Sequence, residues 1–298
     1  MKIDENIEML RDMKWCKDIV DERLQEIFAE AGLSYAVLVE AMRYSLLAGG
    51  KRIRAVICLK FCEAAGGKPE DALDAACAIE MLHTYTLIHD DLPSMDGDDM
   101  RRGMPSNHVK YGEFTATLAG DALQAAAFET LANMRLPAES IVEMVRTLAY
   151  ASGPHGICGG QFLDLSGEGW HLTIDELLEL YSMKTAALIS AAARLGVIAG
   201  EGTKEQTNAA DAYAQAIGLA FQIRDDVLDC AAAAEVLGKP IGSDVRNDKS
   251  TFASLLGIPA CEKKIEKETK KAIEALEGKF EDIEFLTWLA QVLAERKS

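Results

Sequence analysis

Two stretches of this chain gather carboxylates more densely than a solvated surface needs. Leu87 to Gly103 reads LIHDDLPSMDGDDMRRG and holds Asp90, Asp91, Asp96, Asp98 and Asp99, then Arg101 and Arg102. Phe221 to Asp229 reads FQIRDDVLD and holds Gln222, Asp225, Asp226 and Asp229. On a helix, Asp225 and Asp229 share a face, Gln222 joins it, and like charges at that spacing destabilise the helix. The residues before them, AIGLAF, are apolar, so the spacing predicts carboxylates at the C-terminal end of a buried helix, where the dipole disfavours them too. Both penalties ask for compensating cations. Carboxylate oxygens without His or Cys are the donor set of Mg²⁺, with Mn²⁺ the alternative, and Mg²⁺ completes its shell with water and substrate phosphates. Taken alone, the first stretch reads equally well as a solvated acidic loop; the second cluster turns the pair towards chemistry.

A third group is basic. GGKRIR supplies Lys51, Arg52 and Arg54, RRG supplies Arg101 and Arg102, and Lys184, Lys239 and Lys249 stand singly beside loop ends. Basic residues beside glycines in an acidic chain point to phosphate contacts, although any single lysine reads as solvated surface. No Ser-His-Asp order, Walker loop or GxGxxG accompanies them. Gly159–Gly160 in GGQFLD reads as a helix-packing glycine pair, and His108, His155 and His171 as structural residues.

The elements that must position these groups read as helical throughout. Ala, Leu, Glu, Met and Lys dominate and β-branched runs are short. Amphipathic or all-apolar helical stretches begin near Glu5, Ser34, Lys51, Pro69, Glu113, Glu139, Thr173 and Thr207, followed by a charged C-terminal pair. Thr173 to Glu176 is a capping-box pattern. His83, Tyr85 and Thr86 precede Asp90 on one predicted helix, which Pro93 ends or distorts, letting the loop fold Asp96 back towards Asp90. Stretches such as MKTAALISAAARLGVIAG are apolar on most faces and belong inside a bundle. Ala231–Ala234 reads as a continuation of helix. The fold expected is all-α: one large bundle spanning 1–298.

Bulk properties exclude several classes. A 298-residue chain with 49% hydrophobic and 27% charged residues is an ordinary globular composition. Its net charge of −17 argues against nucleic acid as partner. No apolar run reaches the ~18 residues of a membrane span by this reading. The charged N-terminus resembles no signal peptide, and seven scattered cysteines read as reduced, mostly buried thiols of a cytoplasmic protein.

In order, GGKRIR, LIHDDLPSMDxDDxRRG, GQxxD, KT, FQIRDDxLD, GKPxGSD and KST resemble the trans-isoprenyl diphosphate synthases from about Lys51 to Thr251. The resemblance implies ten or more helices around a deep central cavity, a homodimer, and head-to-tail condensation of an allylic diphosphate with isopentenyl diphosphate. It assigns metal binding to Asp90, Asp91, Asp96, Asp225, Asp226 and Asp229. Arg101, Lys184 and Lys239 would stabilise the leaving diphosphate, and Thr185 and Gln222 the allylic cation. Lys51, Arg54, His83 and Arg102 would hold isopentenyl diphosphate, while Asp244 and Lys249 would belong to a closing lid.

Tyr85, five residues before Asp90, would floor the product pocket, with the smaller Thr86 beside it. Together with the four residues between Asp91 and Asp96, this resembles bacterial farnesyl diphosphate synthases. A geranylgeranyl or geranyl diphosphate synthase is the alternative. A non-catalytic partner subunit would be expected to lose an aspartate motif, and both are complete. Ala55 and Phe252 depart from the proline and tyrosine common in the family.

Overall fold

Helix formers without β-branched runs should give helices, and they do. The computed structural model describes residues 3–29, 34–167, 171–237 and 250–296. Among them the helices are α1 (Ile3–Ile27), α2 (Ala36–Leu46), α3 (Ile53–Ala64), α4 (Pro69–Asp90), α5 (Asn107–Tyr111), α6 (Glu113–Ala132) and α7 (Ala138–Ser152). They continue as α8 (Ile157–Ser166), α9 (Ile174–Tyr181), α10 (Ala187–Ala199), α11 (Lys204–Leu237), α12 (Phe252–Leu256), α13 (Ile258–Leu276) and α14 (Glu284–Glu295). The one sheet described is a short antiparallel hairpin of two-residue strands, β1 (Met100–Arg101) and β2 (Met104–Pro105). The chain divides into two compact units, 1–148 with 195–202, and 149–194 with 203–298.

The first unit is organised on α4. Pro69 occupies its first turn, and the Asp71 carboxylate accepts the Lys68 N–H at 2.9 Å, which satisfies one donor at the helix start. Ala72, Ala75, Ala76, Cys77, Ile79 and Leu82 are all fully buried, and α3 and α6 pack on this helix. Its interior also holds a charge. Arg52, grouped in the sequence with phosphate-binding residues, turns inward instead. It is 4% exposed, at φ 51, and bonds Asp21 at 2.8 Å, Glu80 at 3.1 Å and the Leu46 carbonyl at 2.6 Å. Removing either acid would leave a buried charge short of a partner, at a cost of about 3–5 kcal/mol. The Ala55 N–H donates to Glu80 at 3.3 Å, a bond that a proline there could not make.

The second unit is organised on α11, against which α13, α14 and α9 pack. Leu177, Leu180, Tyr181, Ile223, Val227, Phe252 and Ile265 form its core. Thr173 and Glu176 form the expected capping box, with Thr173 N–H to the Glu176 carboxylate at 2.7 Å.

Three expectations need correction here. The aspartates of FQIRDDVLD do not end their helix: α11 continues to Leu237, because the alanines beyond Asp229 propagate helix readily. The dipole penalty therefore falls away and the like-charge penalty remains. The stretch read as a single helix from Thr173 to Gly200 is interrupted by a π turn, Ser182–Ala186. By length and composition, Ile174–Ala199 does qualify as a possible membrane span. However, 61% of its apolar window is buried inside the protein, the position of a core helix.

Candidate functional site

In the first unit α4 ends at Asp90, and the chain turns back at once. The Asp96 N–H donates to the Asp90 carbonyl at 2.9 Å, and the Gly97 N–H to Leu92 at 3.1 Å, with Gly97 at φ 70. This is the fold-back expected of Pro93. Asp91 is 3% exposed and accepts from Arg101 Nε at 2.9 Å and Nη2 at 2.5 Å. The Asp91 carboxylate holds the Arg101 guanidinium protonated above its ordinary range. Asp98 and Asp99 are exposed, and their carbonyls accept from Ser106.

The hairpin that carries Arg101 and Arg102 is pinned from below. Buried Asn107 donates to the Ala41 carbonyl and to Ser45 Oγ, both at 2.8 Å, and Tyr44 Oη donates to the Pro105 carbonyl at 2.8 Å. Arg102, at φ 53, bonds the Gly49 carbonyl. Arg54 Nη1 approaches His83 Nε2 at 3.4 Å, and Arg54 Nε is buried without a partner. Desolvation, then Arg54 and Arg102, hold the His83 imidazole neutral, well below its usual range. Arg54 and Arg102, beside the neutral His83, thus form a local positive cluster that an anion would complete. Lys51 is exposed at its edge in sequence.

Further down α4, Tyr85 is 6% exposed and Thr86 is 7% exposed. The Tyr85 ring meets His89 edge-on at 5.5 Å, and His89 Nε2 bonds the Thr117 carbonyl at 2.9 Å. Gly120 makes room for that ring, since a Cβ there would lie 2.1 Å from His89 Nε2. The Thr86 hydroxyl donates to the His83 carbonyl at 2.8 Å.

The second unit treats its aspartates differently. Asp226 is 6% exposed and accepts from Tyr181 Oη at 2.8 and 3.0 Å and from the Phe252 N–H at 2.9 Å. Burial pushes its carboxyl up to about 6, against the opposing pull of these donors and of the Gln222 side chain. Gln222 also accepts from Thr185 Oγ1 at 2.9 Å, so these two expected partners do meet. Asp225 is paired with Arg296, whose guanidinium lies 3.9 Å over the Phe221 ring. Asp229 is exposed. Lys184 lies in the π turn and bonds Asp164 at 2.5 Å. Such single turns of wider helix often mark functional positions. Lys239, Asp244 and Lys249 lie outside the described residues.

The expected metal ligands are therefore placed, but not gathered. Among the described residues no group of three or more His, Cys, Asp or Glu is set to hold a metal ion. Arg101 and Arg296 take up the carboxylate charge of Asp91 and Asp225, and neutral donors take up that of Asp226. The donor set still fits a hard divalent cation, being carboxylate oxygen alone in both clusters. Sequence reasoning missed the supports: His89, Asn107, Asp164, Tyr181 and Arg296. Asp164 had a signal, lying in the GQxxD stretch, while Arg296 had none.

With this geometry in place, comparison with known proteins gives consistent results. Residues 35–291 match the family described as Polyprenyl synthetase. The chain is 43% identical to a farnesyl diphosphate synthase of Geobacillus stearothermophilus, covering 88% of this chain and 89% of that one. It is also 43% identical to a geranylgeranyl diphosphate synthase of Cyanophora paradoxa, over 91% of each. A crystal structure of an FPP/GFPP synthase from Zymomonas mobilis superposes with a TM-score of 0.86 at 34% identity, covering 97% of this chain and 99% of that one.

Proposed function

Because this chain belongs to the Polyprenyl synthetase family and is a short-chain prenyltransferase, we propose that it makes farnesyl diphosphate. It condenses isopentenyl diphosphate with dimethylallyl diphosphate and then with the geranyl diphosphate so formed. In each round the allylic C–O bond breaks and its electron pair leaves with diphosphate. The isopentenyl double bond attacks the resulting cation, a C–C bond forms, and a proton is lost to the departing diphosphate.

Each unit contributes its own groups. Asp90, Asp91 and Asp96, together with Asp225, Asp226 and Asp229, would hold Mg²⁺, which when bound supplies positive charge to the leaving diphosphate. Arg101, Lys184 and Lys239 add fixed positive charge to that group. Thr185 and Gln222 offer oxygen dipoles to the cation. Lys51, Arg54, His83 and Arg102 bind isopentenyl diphosphate. Neutral His83 serves there as an N–H donor, which suits a phosphate oxygen beside two arginines. Residues 1–298 would act as one catalytic domain, and the working protein as a homodimer.

The observation that carries the C15 product is the buried Tyr85 ring. It lies five residues before Asp90 on α4, about 7.5 Å along the axis. A ring held at that depth stops a growing chain. Sizing the products tests it: wild type yields C15, and Tyr85→Ala lengthens the product to C20 or beyond. An unchanged product length in Tyr85→Ala rejects the floor. A geranylgeranyl product is the second reading, favoured by the equal identity to the Cyanophora relative.

A further inference from the structure

The GQxxD stretch enters none of the steps above, yet it is built against the π turn that carries Lys184. Gly160 of α8 lies so close to that turn that a Cβ on it would stand 2.4 Å from the Lys184 nitrogen and 2.7 Å from its Cα. Only glycine allows this approach. One helical turn later, on the same face, Asp164 is 6% exposed and its Oδ2 meets Lys184 Nζ at 2.5 Å. The lysine side chain keeps 32% of its surface, so its ammonium is tethered at the rim of the fold rather than lost within it. Tyr181 lies just before the turn and its hydroxyl donates to Asp226.

We infer that Asp164 is a positioning residue for the reaction: with Gly160 it fixes the backbone and the ammonium of Lys184 in one pose, ready for the allylic diphosphate. The need is physical. A lysine has a flexible four-carbon stem and about 2 kcal/mol of rotamer entropy. A cation that must meet developing charge on a leaving group works best when it is ordered beforehand. A buried carboxylate one turn from a backbone contact supplies that order. The π turn then has a role. It inserts an extra residue into the helical register, which presents Lys184 to α8 while Thr185 keeps its bond to Gln222.

The inference rests on Lys184 contacting the diphosphate, and a double-mutant cycle separates the two claims. The variants are Asp164→Asn, Lys184→Gln and the pair together, each checked for its melting temperature. Steady-state kinetics are measured with geranyl and isopentenyl diphosphates. Asp164→Asn lowers kcat about 10- to 100-fold and leaves KM for isopentenyl diphosphate at the wild-type value. The double variant is no slower than Lys184→Gln alone. If Asp164→Asn does not fold, Asp164→Glu, which keeps the charge and displaces it by one methylene, takes its place in the same cycle. Multiplying effects in the double variant, or a wild-type kcat for the folded Asp164 variant, overturns the inference while leaving the role of Lys184 standing. A wild-type kcat for Lys184→Gln overturns that role, and the inference with it.

Discussion

The two aspartate regions share composition but differ in how the fold tolerates them. In the first unit the carboxylates stand at and beyond the end of α4, most of them in a loop, and an arginine from the short β1–β2 hairpin answers Asp91. In the second unit they stand in the body of α11, which runs on past them to Leu237. There the most buried of them, Asp226, is answered by a tyrosine hydroxyl and a backbone N–H. A loop can rearrange around carboxylates at small cost, whereas a helix interior cannot. The first region is therefore free to rearrange around the proposed metal, whereas the second, beyond its proposed ligand role, is tied into the core through Asp226.

That contrast is open to direct attack, starting with the largest effect. Asp91→Asn should keep the fold, because its partner Arg101 is partly solvated, but should cut kcat about 10³-fold, as read in a condensation assay beside a melting curve. If stability collapses along with activity, the two regions do not differ. Asp226→Ala should behave in the opposite sense. It strands the Tyr181 hydroxyl and the Phe252 N–H, so denaturant unfolding should show a loss of about 2–4 kcal/mol. A wild-type midpoint would remove Asp226 from the core.

A smaller effect concerns the arginine on Asp225. If Arg296 competes with a metal for that carboxylate, Arg296→Gln should lower the Mg²⁺ concentration for half-saturation about threefold, measured by calorimetry without substrate. Weaker or unchanged metal binding would mean that Arg296 does not compete. The smallest effect is a slope. His83 is held neutral in the fold, with its pKa below the 6.5 of a free imidazole. Above pH 6.5 it therefore costs nothing, and as pH falls below 6.5 the unfolded chain takes up the proton first and stability declines. His83→Gln should flatten that part of the stability–pH curve; an unchanged slope would assign it to another group.

Much of this was legible beforehand, for identifiable reasons. Helix class followed from composition and periodicity, the Thr173–Glu176 cap from a short local pattern, and the Asp96 fold-back from a single proline. These are local rules acting over a few residues. What escaped depends on contacts distant in sequence. The Arg52 ion pair joins α1, α3 and α4, and Arg296 reaches Asp225 across 71 positions. The π turn at Ser182–Ala186 escaped because SMKTA contains good helix formers; the close approach of Gly160 accompanies it and is visible only in three dimensions. In α11 the acidic cluster looked like a terminus, and that was wrong, whereas the alanines after it read as helix and do carry it on to Leu237.

One measurement tests the central claim most directly. The purified protein is incubated with dimethylallyl and isopentenyl diphosphates and Mg²⁺, and the products are sized by chromatography after dephosphorylation. The account predicts farnesol as the main product, with no condensation once the metal is chelated. A C20 alcohol as the main product would contradict the Tyr85 floor, and the absence of any condensation product would contradict the account as a whole.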